Sequence, residues 1–103
     1  MGAGLGPRQK QVILFLDSQP NKRSIRREIY DHFIRLGVIN ESETEKIRRV
    51  IKRLMDNQKA IKKPRTRDLT RTDLYLKHPS QCPDLLELQY TEKVKKFLEE
   101  YYS

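Results

Sequence analysis

The chain has 103 residues, and its 22 Lys and Arg residues against 14 Asp and Glu residues give a formal net charge of +8. A chain of this length suits one domain, because it is too short to bury two independent hydrophobic cores. Cys82 is the single cysteine, which excludes an internal disulfide and a zinc site built from cysteines. No apolar run approaches the roughly 20 residues of a membrane-spanning helix, and we therefore expect a cytoplasmic protein.

The positive charge is concentrated in one part of the sequence. Residues 46–71 carry 11 basic side chains against Asp56 and Asp68, a net +9, whereas residues 78–103 have a net charge of −2. Clustered Lys and Arg side chains bind phosphates tightly because they release condensed counterions. This concentration favours a polyanionic partner over a charged face that only keeps the protein in solution.

The N-terminal part predicts two helices after a flexible lead-in of residues 1–6. Pro7 suits the first position of a helix, and we expect that helix over residues 8–18. A second helix is predicted over residues 25–36, with Ser24 as its N-cap and Gly37 just after its end. The apolar residues of that helix recur at spacings of four, four and three: Ile25, Ile29, Phe33 and Leu36.

The third helix has a marked start and a strong amphipathic pattern. Ser42 and Glu45 match the capping box, in which each side chain satisfies a backbone N–H of the first turn. We expect a helix over residues 43–57, because apolar residues repeat at helical spacing from residue 47 onward: Ile47, Val50, Ile51, Leu54 and Met55. The opposite face of this helix, or its edge, is basic: Arg48, Arg49, Lys52 and Arg53.

The pattern then changes to alternation, which is typical of strands. Two short strands over residues 59–63 and 73–77 are predicted to close a hairpin around a basic loop that begins at Pro64. A linker follows over residues 78–83, which contain two prolines. A final helix over residues 84–102 is predicted from apolar residues at steps of four, four, three and four: Leu86, Tyr90, Val94, Phe97 and Tyr101.

The order helix, helix, turn, helix, hairpin resembles the winged helix-turn-helix superfamily over residues 7–77, with a C-terminal helix appended at 84–103. The expected fold class is mainly α with a small β-hairpin. One departure is the segment 37–41, which is longer than the tightest turns of this motif. The resemblance implies that helix 43–57 enters the major groove of DNA and that the loop 64–72 is the wing, on the backbone or in the minor groove.

The resemblance also implies the DNA-binding residues. In such domains the N-terminal half of the recognition helix reaches base edges, and an Arg side chain can donate two hydrogen bonds to one guanine. The recognition-helix candidates are Thr44, Glu45, Arg48, Arg49, Lys52 and Arg53. The candidates for backbone and wing contacts are Lys22, Arg23, Arg26, Arg27, Lys62, Lys63, Arg65, Arg67 and Arg71.

Two of these assignments have alternatives. Glu45 either caps its helix and interacts with the helix dipole, or accepts a hydrogen bond from cytosine N4. The apolar stripe of the C-terminal helix either pairs with a second copy of the chain or caps its own domain. We expect a homodimer that uses Leu86, Tyr90, Val94, Phe97 and Tyr101, because so small a core leaves part of the stripe uncovered.

These patterns predict a sequence-specific double-stranded DNA-binding protein that regulates transcription. Plasmid partition or replication control would give the same sequence features. The alternative class is an RNA-binding or protein-bridging winged-helix module. We expect no enzyme, metal or cofactor, because packing or surface roles account for His32 and His78 and the chain has no glycine-rich phosphate loop.

Overall fold

The computed structural model describes residues 4–103, apart from the side chain of Pro79. Five helices and three short strands follow one another as α1 (Pro7–Asp17), β1 (Arg23–Ile25), α2 (Arg26–Arg35), α3 (Thr44–Asp56), β2 (Ile61–Lys62), α4 (Arg71–Leu76), β3 (Leu85–Leu88) and α5 (Glu92–Tyr102). Short 3₁₀ turns connect several of them. The predicted class was mainly α with a small β-hairpin; the mainly α part is confirmed, and the β part is a small antiparallel sheet of three strands. Within residues 4–103 no helix is both long and apolar enough to cross a membrane.

The three strands form one antiparallel sheet in the order β1-β3-β2. The central strand β3 places Leu86 opposite Ser24 of β1 and Leu88 opposite Ile61 of β2. A sheet of this kind beside three helices is compatible with a winged helix. The segment that joins β2 to β3 covers residues 63–84 and contains α4; we call it the insertion.

The main core lies between the inner face of the sheet and the helices. Leu86 and Leu88 of β3 point into it, together with Val94 and Leu98 of α5. The remaining buried apolar side chains come mostly from the first three helices and include Val12, Ile13, Leu16, Ile29, Phe33, Ile47, Ile51 and Leu54.

The first two predicted helices are confirmed to within a residue or two, but one predicted cap is wrong. Ser24 lies in β1, and Ile25 occupies the N-cap position of α2. The buried Ser24 hydroxyl instead donates to Glu28 Oε1 at 2.8 Å. Pairing of residues 23–25 with β3 therefore decides where α2 begins.

The predicted end of α2 at Gly37 is confirmed. Gly37 has a φ of +75°, a left-handed conformation that glycine adopts without a Cβ penalty. Its N–H donates to the Ile34 carbonyl at 3.0 Å and the Val38 N–H donates to the Phe33 carbonyl at 3.1 Å. These two bonds form the Schellman motif.

The predicted capping box of the third helix is wrong by two residues. Asn40 precedes a 3₁₀ turn, Glu41–Glu43, that leads directly into α3. The Asn40 side chain accepts from the Ser42 N–H, and the Asn40 N–H donates to Glu43 Oε1, both at 3.0 Å. Because Asn40 supplies the cap, Glu45 is left to make other contacts.

The predicted hairpin is wrong in its second strand. Residues 73–77 belong to α4 and its C-cap, whereas β2 pairs with β3. The Thr70 hydroxyl accepts from the Asp73 N–H at 3.1 Å, and Asp73 Oδ2 accepts from the Thr70 N–H at 2.8 Å. This reciprocal pair begins a helix where the alternation of Leu74 and Leu76 had predicted a strand.

The predicted C-terminal helix over 84–102 is wrong in its first part, where residues 85–88 form the strand β3. The helix α5 begins at Glu92, because the Thr91 hydroxyl caps it by accepting from the Val94 N–H at 3.3 Å. Leu86 and Val94 therefore belong to different elements, and residues 78–83, predicted as a linker, lie mostly in a 3₁₀ segment.

The predicted flexible lead-in falls partly outside the described residues, since residues 1–3 are not described. Leu5 packs against the core. The Gly6 N–H donates to the Gln9 side chain at 3.0 Å and Gly6 precedes α1 as its N-cap. Residues 5 and 6 are thus part of the fold.

Replacing Leu86 by Ala should lower the free energy of unfolding by about 2–5 kcal/mol, because the side chain is 0% exposed and would leave a cavity. Tyr101→Ala removes an exposed side chain of α5 and should change stability by less than about 0.5 kcal/mol. Urea denaturation of both variants measures the difference. Equal stabilities would contradict the placement of Leu86 in the core.

Candidate nucleic-acid interface

The helix α3 turns one face to the core and presents a basic face to solvent. Ile47, Ile51 and Leu54 are buried. The cationic side chains Lys46, Arg48, Arg49, Lys52 and Arg53 are exposed. At about 100° per residue, this amphipathic arrangement holds five cations on the outside of one rigid helix. Arg49, Lys52 and Arg53 line a shallow depression that Asp56 and Asn57 close at its end.

Glu45 interacts with two of these cations. Its Oε2 accepts from Arg48 Nε at 2.6 Å, and its Oε1 lies 3.9 Å from Arg49 Nε. The hydrogen bond from Arg48 lowers the pKa of Glu45 below its ordinary value. The carboxylate therefore aligns the Arg48 guanidinium and offsets part of the charge at the start of α3, beside the half-buried Thr44.

Lys52 and Arg53, one turn further along α3, are not offset in this way. Both are exposed, and neither forms an ion pair with any residue in the described range. Both are free to pair with a phosphate, although Asp56 in the same depression offsets part of their charge. The second half of α3 thus carries two cations without an ion-pair partner in the described range, whereas Arg48 and Arg49 in the first half share Glu45.

The four basic residues predicted around the start of α2 lie in different environments. Lys22 donates to the Asp17 carbonyl at 2.7 Å, and Arg27 pairs with Asp31 at 3.1 Å on the same helix. Arg26 is half-buried. Arg23 is buried in β1, so its predicted contact with DNA phosphates is wrong, since its guanidinium bonds to other protein groups.

The partners of Arg23 are two carboxylates and a carbonyl. Its guanidinium pairs with Asp73 of α4 and, at 3.1 Å, with Glu87 of β3, and it donates to the Asp68 carbonyl at 3.1 Å. Arg23 and Asp73 are only 9% and 4% exposed. We call Arg23, Asp73 and Glu87 the ionic cluster. It fastens the insertion to the outer face of the sheet.

Two further contacts hold the insertion in place. The Asn21 side-chain amide donates to Thr70 Oγ1 at 2.8 Å and to Asp73 Oδ1 at 3.1 Å. At the other end of α4, the largely buried ammonium of Lys77 pairs with Glu28 of α2. The insertion is therefore anchored at both ends of α4.

Anchoring leaves the basic residues of the insertion on its outer side. Lys63, Arg67 and Arg71 are exposed and form no ion pair with the residues of range 4–103. Arg65 lies 3.4 Å from Asp68, and Lys62 lies 3.5 Å from Glu87, which it faces across β2 and β3. The wing residues predicted from sequence thus include three cations free of carboxylate partners and two that have them.

The residues predicted to form a dimer interface do not lie on one helix face. Leu86 and Val94 are fully buried in the core, and Phe97 is half-buried beside Lys10, whose Nζ lies 5.6 Å from its ring centroid. Tyr90 donates to Asp17 Oδ1 at 2.7 Å, and burial together with this carboxylate raises its pKa to about 12. The stripe is used largely within the chain, and the homodimer stays a prediction.

Sequence reasoning missed the two acidic members of the ionic cluster and the helix that carries Asp73. One signal for α4 was present, because Thr70 and Asp73 stand at the spacing of a capping box before an apolar residue. The run Leu85-Leu86-Glu87-Leu88 also fits a short strand buried on both faces. Comparison with known proteins found no matching protein-family model, no matching curated protein and no matching solved structure.

Replacing Asp73 by Asn should lower the free energy of unfolding at pH 7 by about 1.5–3 kcal/mol, because a hydrogen bond to a charged partner is weakened in a buried site. Asp68→Asn changes an exposed carboxylate and should alter stability by less than about 0.5 kcal/mol. Urea denaturation of both variants gives the comparison.

The buried Asp73 carboxylate also predicts that the stability of the fold depends on pH. Burial alone would raise the pKa of Asp73, but hydrogen bonds from the Thr70 N–H, Asn21 and Arg23 outweigh it and hold the pKa below its ordinary value. The stabilisation is therefore present above the unfolded pKa of about 3.9 and is lost as the pH falls through the lower folded pKa. Stability of Asp73→Asn should fall less steeply in acid than that of the wild type. Parallel acid profiles would contradict this assignment.

Proposed function

We propose that this chain is a winged helix-turn-helix protein that binds double-stranded DNA, with α3 in the major groove and the insertion as an enlarged wing. The observation that carries the proposal is the row of exposed cations on the outer face of α3, opposite its buried Ile47, Ile51 and Leu54. A single exposed helix fits the major groove, where each base pair offers a distinct pattern of donors and acceptors.

The two halves of α3 have different roles in this proposal. Arg48 and Arg49 lie near the start of the helix, where recognition helices reach base edges, and an Arg guanidinium can bond guanine O6 and N7 together. Lys52 and Arg53 neutralise phosphates, because neither is held in an ion pair within the described chain. Glu45 holds Arg48 in position until the guanidinium exchanges this carboxylate for a base.

The insertion extends the contact beyond the major groove. Lys63, Arg67 and Arg71 are exposed and have no carboxylate partner in the described range, whereas Arg23, behind them, anchors the insertion to the sheet. Their positive charge suits phosphates or a narrow minor groove beside the recognition helix. A protein that occupies a defined duplex site in this way acts as a regulator of transcription or of another process at that site.

Removal of the Lys52 and Arg53 charges tests the electrostatic part of the proposal. The double variant Lys52→Ala, Arg53→Ala should bind duplex DNA more weakly at all sequences. The slope of log K against log salt concentration should become shallower by roughly 1–2, since each phosphate contact contributes about 0.9. Fluorescence anisotropy at several salt concentrations measures both effects.

The matched control removes two cations from α5, with Lys95→Ala and Lys96→Ala, which changes the net charge equally. If the two double variants weakened binding to the same extent, overall charge and not the face of α3 would account for affinity.

Selection from random duplexes tests base recognition. Wild-type protein should enrich a defined duplex sequence, and the double variant Arg48→Ala, Arg49→Ala should lose that preference while it keeps salt-dependent binding. Structured RNA and single-stranded DNA serve as competitors in the same assay. Equal competition by RNA would favour an RNA-binding module and overturn the proposal.

A further inference from the structure

The most exposed large apolar side chain in the described part of the chain lies on the insertion. Tyr75 of α4 is 88% exposed, and its neighbours Leu74 and Leu76 are about half exposed. A ring that is so exposed contributes little to the packing of the fold. Tyr75 therefore has a free ring face that a partner could cover.

The orientation of α4 is fixed by Asp73. At about 100° per residue, Arg71 and Tyr75 lie on the side of α4 opposite Asp73, which is buried against Arg23. Arg71 and Tyr75 are four residues apart in the same helix, so their side chains are neighbours about 5–6 Å apart at Cβ. An exposed guanidinium and an exposed aromatic ring thus stand side by side and face solvent.

The surroundings of this pair are basic. Arg71 has no ion-pair partner among the described residues, and the exposed Arg67 and Lys63 precede it in the insertion. The charge complementarity points to a phosphate-bearing partner. An aromatic ring beside cations is the combination that binds single-stranded nucleic acid, where the ring stacks on a base and the cations contact the backbone.

We infer that Tyr75 and Arg71 form a binding site for an unpaired nucleotide at the edge of a DNA duplex, with the base stacked on the Tyr75 ring and an adjacent phosphate on Arg71. This inference rests on the proposed function, because α3 must bind the neighbouring duplex. Inside a duplex both faces of each base are covered by its neighbours, so away from the duplex ends Tyr75 can stack only where a strand has separated. The protein accordingly prefers a duplex that continues into a single strand.

Binding to two labelled DNAs tests this preference: a blunt duplex and the same duplex with a short thymine overhang. Wild-type protein should bind the overhang form more tightly by about 5- to 150-fold, the range expected for stacking of one base. Tyr75→Ala should abolish this ratio and leave affinity for the blunt duplex unchanged, while Tyr75→Phe, which keeps the ring, should retain it.

The control is Tyr101→Ala, which removes an exposed tyrosine from α5 and should leave the ratio unchanged. Equal affinity of the wild type for both DNAs, or an unchanged ratio in Tyr75→Ala, would overturn the inference and leave the proposed function intact. Failure of the wild type to bind the blunt duplex would instead overturn the proposed function and this inference with it. Light scattering of the wild type and of Tyr75→Ala tests a different occupant of this surface. If Tyr75→Ala lost a self-association of the wild type but bound both DNAs unchanged, the Tyr75 ring would contact a second copy of the chain, and the inference would be overturned.

Discussion

The docking of the insertion on the outer face of the sheet depends on the ionic cluster. Glu87 stands in the central strand directly opposite Arg23 on one side and Lys62 on the other, so one carboxylate lies between cations from both edge strands. Asp73 of α4 forms a second ion pair with the Arg23 guanidinium, on the outer face of the sheet. A buried guanidinium without these carboxylates would be strongly unfavourable, and the insertion must therefore dock where Asp73 reaches it.

The ionic cluster contributes position more than net stability. Desolvation of buried ions offsets most of their mutual attraction. Apolar side chains of the same volume at these three positions would therefore stabilise the contact between insertion and sheet equally well. An apolar set would not define the rotation of α4 about its axis, whereas the bonds from Arg23, Asn21 and the Thr70 N–H to Asp73 do. The exposure of Arg71 and Tyr75 on the other side of α4 follows from that rotation. Ile25 and Leu85, which face each other across β1 and β3, are buried apart from the main core.

The helices α1, α2 and α3 were predictable because their signals are local: helical spacing of apolar residues, Pro7 at the start of α1 and Gly37 after α2. The hairpin and the last helix were not, because the sequence contains two competing patterns there. Alternation at Leu74 and Leu76 predicted a strand where Thr70 caps a helix, and helical spacing from Leu86 to Tyr101 continued through a strand. The Thr70 cap decided the first outcome, and the pairing of residues 85–88 with β1 and β2 decided the second.

The sequence by itself determined the three-helix body, the mainly α class and the concentration of charge, since amphipathic period and composition are local properties. The tertiary structure decided which of the cations face solvent. Arg23 and Arg71 have equal charge in the sequence, yet one is buried between carboxylates and the other stands exposed on α4. Only the pairing of β1 with β3 and the docking of Asp73 separate them, because both contacts join residues about 50 or more positions apart. Long-range pairing of this kind leaves no period in the chain from which it can be predicted.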